Sequence, residues 1–255
     1  MATYFQEFIF KQLLRVEILI TVCARGGSKG IPGKNIKLIN GKPLIYYTLS
    51  TAQKFKDAFE NADIVLSTDA EEIKKVVNSF EFKIDTSYTR PNHLASAKAG
   101  KIGVVKDILA YSEIRNNKKY EIVLDLDITS PFRNVGDLKN ALNILLEKPE
   151  AYNIFSVSPA NRNPYFNMVE EKGDGYFTLS KKGEFLSRQT APKVYDMNAS
   201  FYFYRKLFFE QDHQTAITDK SLIYEVPHSC FDLDHPIDFE FMSFLFVNNK
   251  LDFEL

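Results

Sequence analysis

A loop rich in glycine and basic side chains follows the first apolar run of the chain. It reads ARGGSKGIPGKN over residues 24–35 and places Arg25, Lys29 and Lys34 within ten residues of one another. Its glycines let the backbone approach a ligand and turn amide groups inward, which together with the cations suits a polyphosphate. The alternative is a solvated basic loop. The P-loop pattern would need Gly at position 28 and Ser or Thr at position 35, and the dinucleotide pattern GxGxxG is absent.

A pair of carboxylates near the end of the chain is a candidate metal site. Asp232 and Asp234 flank Leu233, so in an extended segment both carboxylates point to the same face. Two carboxylates combined with substrate phosphates are a usual way to hold Mg²⁺. The alternative is an N-terminal cap for the helix predicted after Pro236. Asp238 suits the first turn of that helix.

Other side chains that could carry chemistry lack a recognisable spacing. None of the four histidines lies in a zinc-binding pattern, and no GxSxG elbow is present. Cys23 and Cys230 form no CxxC pair, which favours two small buried thiols over a disulfide or a metal pair. Free thiols are typical of a reducing cytoplasm, so a cytoplasmic protein is expected.

The composition excludes several classes of protein. Of 255 residues, 45% are hydrophobic, which excludes disorder, and 32 basic against 33 acidic residues give a net charge of -1. No global field would attract nucleic acid or an anionic membrane. The longest apolar run, 18–24, is far shorter than the roughly 20 residues of a membrane span. Residues 1–15 lack the pattern of a secretory signal and are expected to be an amphipathic lead-in or to follow a start codon upstream of the true one.

The elements that must position these residues alternate along the chain. Apolar runs predict buried strands at 17–23, 64–68 and 122–126. Periodic segments predict helices at 44–56, 70–80 (opened by Asp69), 101–115 and 135–146. This alternation favours a parallel sheet with helices on both faces. Residues 159–198 are turn-rich and lack a core, which indicates an inserted arm with strand-like pieces around 176–179. Regular patterning returns at 200–204, 223–226 and 236–248.

Several motifs occur here in the order seen in acylneuraminate cytidylyltransferases, the CMP-sialic acid synthetase family. Besides the loop at 24–35 they are Asn40-Gly-Lys-Pro-Leu44, Leu66-Ser-Thr-Asp69, Arg90-Pro91 with Leu94-Ala95, Thr129-Ser-Pro131 and Asp232-Leu-Asp234. The sequence resembles this family over residues 17–247. Residues 161–167 and 191–200 are similar to the branch that activates N,N'-diacetyllegionaminic acid. The resemblance implies an α/β, three-layer Rossmann-like nucleotidyltransferase fold with a mostly parallel central sheet and a small dimerisation arm. It divides the chain into an N-terminal extension (1–16) and a cytidylyltransferase domain (17–255) that contains the arm (159–198).

The resemblance also implies a reaction and roles for particular residues. The anomeric hydroxyl of a nine-carbon sugar acid attacks the α-phosphate of CTP, and pyrophosphate leaves. By family position the catalytic residues are Arg25, Lys34 and Asp234, and Asp232 with Asp234 binds Mg²⁺. The nucleotide contacts implied are Ala24, Gly26, Gly27, Ser28, Lys29, Asn35 and Arg90. The sugar contacts implied are Asp127, Arg188, Gln189 and Asn198, with Arg188 reaching the sugar carboxylate from the partner in a homodimer; a surface arginine is the alternative.

The sequence departs from the family pattern at three places. Ala97-Lys98 replaces a common Asp-Thr, and Asn198-Ala199 replaces a common Asn-Gly, which narrows backbone freedom. Asp127 stands where sialate-activating relatives carry a glutamine, which favours an amide-bearing, legionaminate-like sugar. Sialic, pseudaminic or 3-deoxy-octulosonic acid as the acceptor, or a non-catalytic nucleotide-binding homologue, are the alternatives.

Overall fold

The computed structural model describes residues 16–27, 30–59, 61–96 and 100–255. Its strands are β1 (Ile18–Cys23), β2 (Leu38–Ile39), β3 (Lys42–Pro43), β4 (Ala62–Ser67), β5 (Ile122–Leu126), β6 (Asn153–Pro159), β7 (Val169–Glu171), β8 (Phe177–Leu179), β9 (Tyr195–Arg205) and β10 (Ser221–Glu225). Its helices are α1 (Leu44–Ala58), α2 (Glu71–Asn78), α3 (Asn92–Ala95), α4 (Lys101–Asn116), α5 (Val135–Leu146), α6 (Lys206–Glu210) and α7 (Pro236–Val247), with a 3₁₀ turn at Lys34–Ile36.

Six strands form the central sheet in the order β10-β6-β9-β5-β1-β4. β1 pairs in parallel with β4 and β5, and β6 pairs in parallel with β10. β9 runs antiparallel to both of its neighbours, β5 and β6. The sheet is therefore mostly parallel, with the carboxyl ends of β1, β4 and β5 at one edge, as the sequence predicts.

Helices cover both faces of this sheet because the side chains of each strand alternate between two cores. Ile18, Ile20 and Val22 of β1 join a large core with α1, α2, α5 and α7. Leu19 points the other way, into a smaller core with α4 and α6. The molecule is thus a three-layer α/β structure, which confirms the predicted fold class.

Two predicted elements, 122–126 and 135–146, coincide with β5 and α5, whereas the start of the second helix differs. The N-cap of α2 is Ala70, which makes no side-chain cap. Asp69 does not open the helix as predicted: its Oδ1 accepts a hydrogen bond from the Gly26 amide, 2.8 Å away. The carboxylate therefore fixes the glycine loop rather than the helix end.

The segment 159–198 contains the β7–β8 hairpin and also the first four residues of β9, since β9 begins at Tyr195. Residues 1–15 of the predicted extension, Ser28, Lys29 and the Ala97-Lys98 departure lie outside the described residues. Within the described ranges, no helix is long and apolar enough to cross a membrane.

Candidate active site

Three segments meet at the carboxyl edge of the sheet and form a cleft of about 460 Å³. They are the loop that follows β1, the loop that follows β5 and the segment that precedes α7, which we call the acid segment (231–235). The cleft is lined by Cys23, Arg25, Gly30, Lys34, Asn35, Arg90, Leu94, Ser96, Lys101, Val104, Asp127, Ile128, Thr129 and Asp234. Arg25, Lys34, Asn35, Arg90, Asp127 and Asp234, all predicted from the sequence, therefore share one cavity.

Hydrogen bonds to its own backbone hold the glycine loop in place. The buried side chain of Asn35 donates from Nδ2 to the Arg25 carbonyl at 2.9 Å. A Cβ built on Gly26 would lie 2.9 Å from the Cβ of Ala70, so this position needs glycine. Gly33 adopts a left-handed conformation with φ of 62° at the start of the 3₁₀ turn. These contacts place Arg25 and Lys34 on the same cavity.

Lys34 ties the glycine loop to the acid segment. Its Nζ donates to the Leu233 carbonyl at 2.5 Å, and the Leu233 amide donates to the Thr129 carbonyl at 3.0 Å. Leu233 is fully buried, so it anchors the acid segment while Asp234 on one side stays exposed. The two bonds join all three segments around one cationic side chain.

Arg90 supplies a second cation that cannot move freely. Its guanidinium donates to the Ser67 hydroxyl at 3.0 Å and to the Ser67 carbonyl at 2.9 Å. The side chain is only 6% exposed yet lines the cleft. Because Ser67 of β4 already holds the guanidinium, the remaining N–H groups of Arg90 can bind a ligand with little further loss of side-chain entropy.

The acid segment has the donor chemistry of a magnesium site. Asp234 is exposed on the cleft, and Asp232 is half-buried with Oδ1 accepting from the Leu233 amide at 2.8 Å. Burial and the charges of Asp127 and Asp234 raise the pKa of Asp232, against the opposing effects of Thr129 and Lys34. In the described part of the chain, no three His, Cys, Asp or Glu side chains converge on a metal position. Two carboxylates completed by substrate phosphates fit Mg²⁺ and do not fit zinc.

The N-terminus of α7 is capped by residues other than Asp232 and Asp234. His235 is the N-cap of α7, and Asp238 Oδ2 accepts from the amides of Asp234 and His235 at 2.9 and 2.6 Å. The role predicted for Asp238 in the first helical turn is confirmed. The carboxylates of Asp232 and Asp234 are not used for that cap.

An ionic cluster that sequence reasoning missed lies in the same cleft. Lys101, the first residue of α4, contacts Asp125 Oδ2 at 2.7 Å and Asp127 Oδ2 at 2.8 Å. Burial alone would lower the pKa of Lys101, but the two carboxylates raise it well above its ordinary value. Burial would raise the pKa of Asp127, but Lys101 and the hydrogen bonds from Thr129 together hold it below its ordinary range. An aspartate in the middle of the buried run IVLDL was the available signal, because a buried carboxylate needs a cation or donors.

Cys23 contacts this cluster, and its surroundings disfavour the thiolate. Its Sγ lies 3.9 Å from Asp125 Oδ1, which also accepts from the Thr21 hydroxyl at 2.8 Å. Burial and the Asp125 charge raise the pKa of the thiol to about 12. The thiolate that covalent catalysis requires is therefore not formed near neutral pH. Cys23 and Cys230 are free thiols, but both are partly exposed and not fully buried as predicted.

Arg133 supports the cleft from inside the core. The fully buried guanidinium donates to the carbonyls of Asp127, Ser130 and Ser200 at 2.8, 2.8 and 2.7 Å. It also donates to the Thr48 hydroxyl at 2.7 Å. Burial lowers the pKa of Arg133 to about 10, so the side chain stays charged. By these bonds Arg133 fixes the backbone that carries Asp127.

The remaining residues predicted to bind the sugar lie elsewhere in the chain. Arg188 and Gln189 line a second cleft of about 570 Å³ in the arm, which shares no lining residue with the first. The Arg188 guanidinium donates to the Ala160 carbonyl. Asn198 is 6% exposed and bonds the hydroxyls of Ser156 and Ser158 at 2.6 and 3.0 Å. Within a single chain these three side chains therefore do not line the cleft of Lys34.

A three-layer α/β fold with a cationic glycine loop at the carboxyl edge of its sheet is typical of a protein that binds a phosphorylated ligand there. A family model described as Cytidylyltransferase matches residues 19–250, so the chain belongs to the cytidylyltransferase family and is a CTP-dependent nucleotidyltransferase. It is 38% identical to post-translational flagellin modification protein B of Campylobacter coli, over 92% of this chain and 97% of that protein.

A second relative and a solved structure are also similar, the first in sequence and the second in fold. The chain is 38% identical to CMP-N,N'-diacetyllegionaminic acid synthase of Campylobacter jejuni, over 90% of this chain and 94% of that protein. In fold it is similar to a CMP:2-keto-3-deoxy-manno-octonic acid synthetase complexed with CTP, with a TM-score of 0.63 and 17% identity over 91% and 99% of the two chains.

Proposed function

We propose that this enzyme transfers CMP from CTP to the anomeric hydroxyl of a nonulosonic acid of the legionaminic type and releases pyrophosphate. The observation that carries the proposal is the cleft itself, which Lys34, Arg25 and Arg90 line together with Asp234. Cations suit a triphosphate, and an acid pair suits the metal that accompanies it. The Campylobacter jejuni relative named for a legionaminic acid synthase supports this choice of acceptor.

In this proposal the protein positions the two substrates and stabilises the developing charge, since phosphoryl-type transfer needs little covalent catalysis from a protein. Arg25 and Lys34 bind the triphosphate and stabilise the charge that develops on the leaving pyrophosphate. Asn35 and Arg90, both fixed by hydrogen bonds, orient the nucleotide. Ala24, Gly26 and Gly27, together with Ser28 and Lys29, complete its cradle.

The acid segment completes the proposed site at the acceptor hydroxyl. Asp232 and Asp234 would hold Mg²⁺, which when bound neutralises phosphate charge and increases the acidity of the acceptor hydroxyl. Asp234 is the exposed member of the pair and is the group assigned to the hydroxyl. Asp127 would contact the sugar from the opposite loop.

We also infer a cytoplasmic homodimer. Tyr176 and Phe177 on the β7–β8 hairpin are 72% and 62% exposed, a degree of apolar exposure that a protein interface would cover. In the dimer the partner's arm would bring Arg188 and Gln189 to the sugar carboxylate, with Asn198 supporting the base of the arm. The free thiols of Cys23 and Cys230 suit a reducing compartment.

The direct test measures pyrophosphate release from CTP and Mg²⁺ with a panel of nonulosonic acids. We expect N,N'-diacetyllegionaminic acid to give the highest kcat/KM. Turnover confined to N-acetylneuraminic, pseudaminic or 3-deoxy-octulosonic acid would show that the acceptor is wrong. No release with any acceptor would show that the reaction is wrong.

A pair of lysine variants assigns the activity to this cleft. Lys34→Ala should lower kcat by about 10²- to 10³-fold, because it removes a cation from the developing charge. Lys75→Ala removes an exposed lysine of α2, distant in sequence from the glycine loop, and should leave the rate unchanged. Equal rates for the two variants would contradict the role of Lys34.

A further inference from the structure

Lys101, Asp125 and Asp127, which we call the Lys101 cluster, extend from the core to the cleft. The carboxylate of Asp125 is 1% exposed, whereas the side chains of Asp127 and Lys101 are 24% and 35% exposed. One ammonium therefore joins a buried carboxylate to one that ligands can reach. Both Lys101 and Asp127 line the cleft that contains Lys34.

The hydrogen bonds of Asp127 leave it one acceptor position. Its Oδ1 accepts twice from Thr129, from the amide at 2.9 Å and from the hydroxyl at 2.8 Å. Its Oδ2 accepts from Lys101 at 2.8 Å. A carboxylate has about four lone-pair positions, so among the contacts of the described residues one on Oδ2 is left for a ligand.

The charge of the cluster indicates which ligand group it meets. Two carboxylates against one ammonium leave a net negative charge, which would repel a triphosphate or the carboxylate of a sugar acid. Arg25, Lys34 and Arg90 offer those anions a better place in the same cleft. Among the groups that an acceptor sugar acid carries, a neutral hydrogen-bond donor is therefore the one that suits Asp127.

We propose that Lys101 is a positioning residue that sets acceptor specificity by fixing the Asp127 carboxylate to accept a hydrogen bond from an amide N–H or a hydroxyl of the acceptor sugar. The inference rests on the proposed function and adds to it a residue and a substrate feature. Lys101 acts through Asp127 and does not itself contact the sugar. Without Lys101, Asp127 would keep its hydrogen bonds to Thr129 but lose the contact that orients Oδ2.

The test uses a variant that removes the ammonium without leaving a buried charge. Lys101→Met alone would leave the buried carboxylate of Asp125 without its cation. It is therefore combined with Asp125→Asn, which keeps a side-chain acceptor for the Thr21 hydroxyl. For this double variant we expect the kcat/KM of the acceptor to fall by about 10- to 100-fold, the worth of a hydrogen bond to a charged group. The KM for CTP should not change. Circular dichroism and thermal unfolding check that the variant folds, and Lys101→Arg should restore part of the lost activity.

A cycle with Asp127→Asn then separates positioning from a merely structural role. If Lys101 acts through Asp127, the triple variant Lys101→Met/Asp125→Asn/Asp127→Asn is no worse toward the acceptor than Asp127→Asn alone. Independent, multiplying losses would overturn the proposal, as would a raised KM for CTP or an unchanged kcat/KM for the acceptor in the double variant. An inactive wild type would overturn the proposed function as well, whereas an active wild type with independent losses overturns this inference alone.

Discussion

The backbone at Gly30 passes so close to the acid segment that no side chain has room there. A Cβ at this position would lie 2.8 Å from the Asp234 carbonyl oxygen, a backbone atom that has no flexible end to move aside. We expect Gly30→Ala to push the glycine loop and the acid segment apart and to lower kcat/KM for CTP by about 10- to 100-fold, because small misplacements at a reacting centre are costly. Steady-state kinetics and circular dichroism would measure the loss and the intact fold.

Gly103 provides the matched control for Gly30. It lies on the exposed face of α4, where a Cβ would make an ordinary contact of 3.8 Å with Leu94 Cδ2. Gly103→Ala should leave the kinetics unchanged and raise stability by about 0.5–1 kcal/mol, since alanine favours a helix. Similar losses of kcat/KM in both variants would mean that the close approach at Gly30 does not cause the loss in Gly30→Ala.

Ala199 occupies a conformation that normally calls for glycine. Its φ of 60° lies in the left-handed region, within the bulge where β9 shifts register against β6. Left-handed backbone costs a residue with a Cβ about 1–2 kcal/mol, so Ala199→Gly should raise the free energy of unfolding by about 1 kcal/mol. Ala110→Gly on the exposed face of α4 should change it by about the same amount in the opposite direction. Urea denaturation measures both, and a destabilised Ala199→Gly would refute the strain.

At the scale of elements, a histidine joins α5 to the strand and loop before the acid segment. His228 Nε2 lies 2.9 Å from Asp137 Oδ2, and the ring stacks on Phe253 at 3.5 Å. Asp137 also caps α5 through the Asn134 amide and accepts from the Tyr224 hydroxyl at 3.1 Å. Burial alone would lower the pKa of His228, but the bond to Asp137, the Ser229 carbonyl and the charge of Asp252 raise it.

This pair predicts a direction for stability with pH. Because the folded pKa of His228 lies above its unfolded value of about 6.5, its contribution is fully present below that pH and is lost as the pH rises through the folded pKa. Denaturation of wild type and His228→Gln at about pH 6 and about pH 9 should show a difference in unfolding free energy that shrinks at the higher pH. A difference in unfolding free energy that grows with pH would contradict a raised pKa of His228 in the folded protein.

The sequence predicts elements better than it predicts the contacts between them. Apolar runs and helical spacing locate β5 and α5 to the residue, since local pattern decides both. β9 was predicted as only 200–204, because its first residues, from Tyr195, alternate within a turn-rich segment. The glycine loop is local in sequence and was found. The bond of Lys101 to Asp125 was not, because nothing in spacing pairs a helix residue with a strand 24 positions away.

At the scale of the whole molecule, the near-neutral net charge of -1 conceals a cleft in which cations face carboxylates. The second cleft, with Arg188, lies elsewhere in the protomer. If the partner's arm completes each site, Lys34→Ala and Arg188→Ala damage different halves of it. Co-expressed, the two inactive chains should recover about a quarter of wild-type activity, because half of the dimers are mixed and each mixed dimer has one intact site.

Separately purified and unmixed variants are the control for this complementation. Each should remain inactive, and sedimentation should show that both dimerise like wild type. Failure of the mixture to regain activity, with mixed dimers present, would contradict an arm shared between subunits. It would leave the assignment of Lys34 intact, since that rests on its own cleft.

The bond between Lys34 and the Leu233 carbonyl joins residues 199 positions apart. During synthesis the glycine loop leaves the ribosome early, and its partner emerges only with the last tenth of the chain. Contacts so distant in sequence form late and slow the folding of a domain. A nascent or prematurely terminated chain therefore has the cationic loop without the segment that holds it. We therefore expect a chain shortened before Leu233 to bind CTP more weakly than the full chain, because its Lys34 lacks the carbonyl that holds it in the cleft.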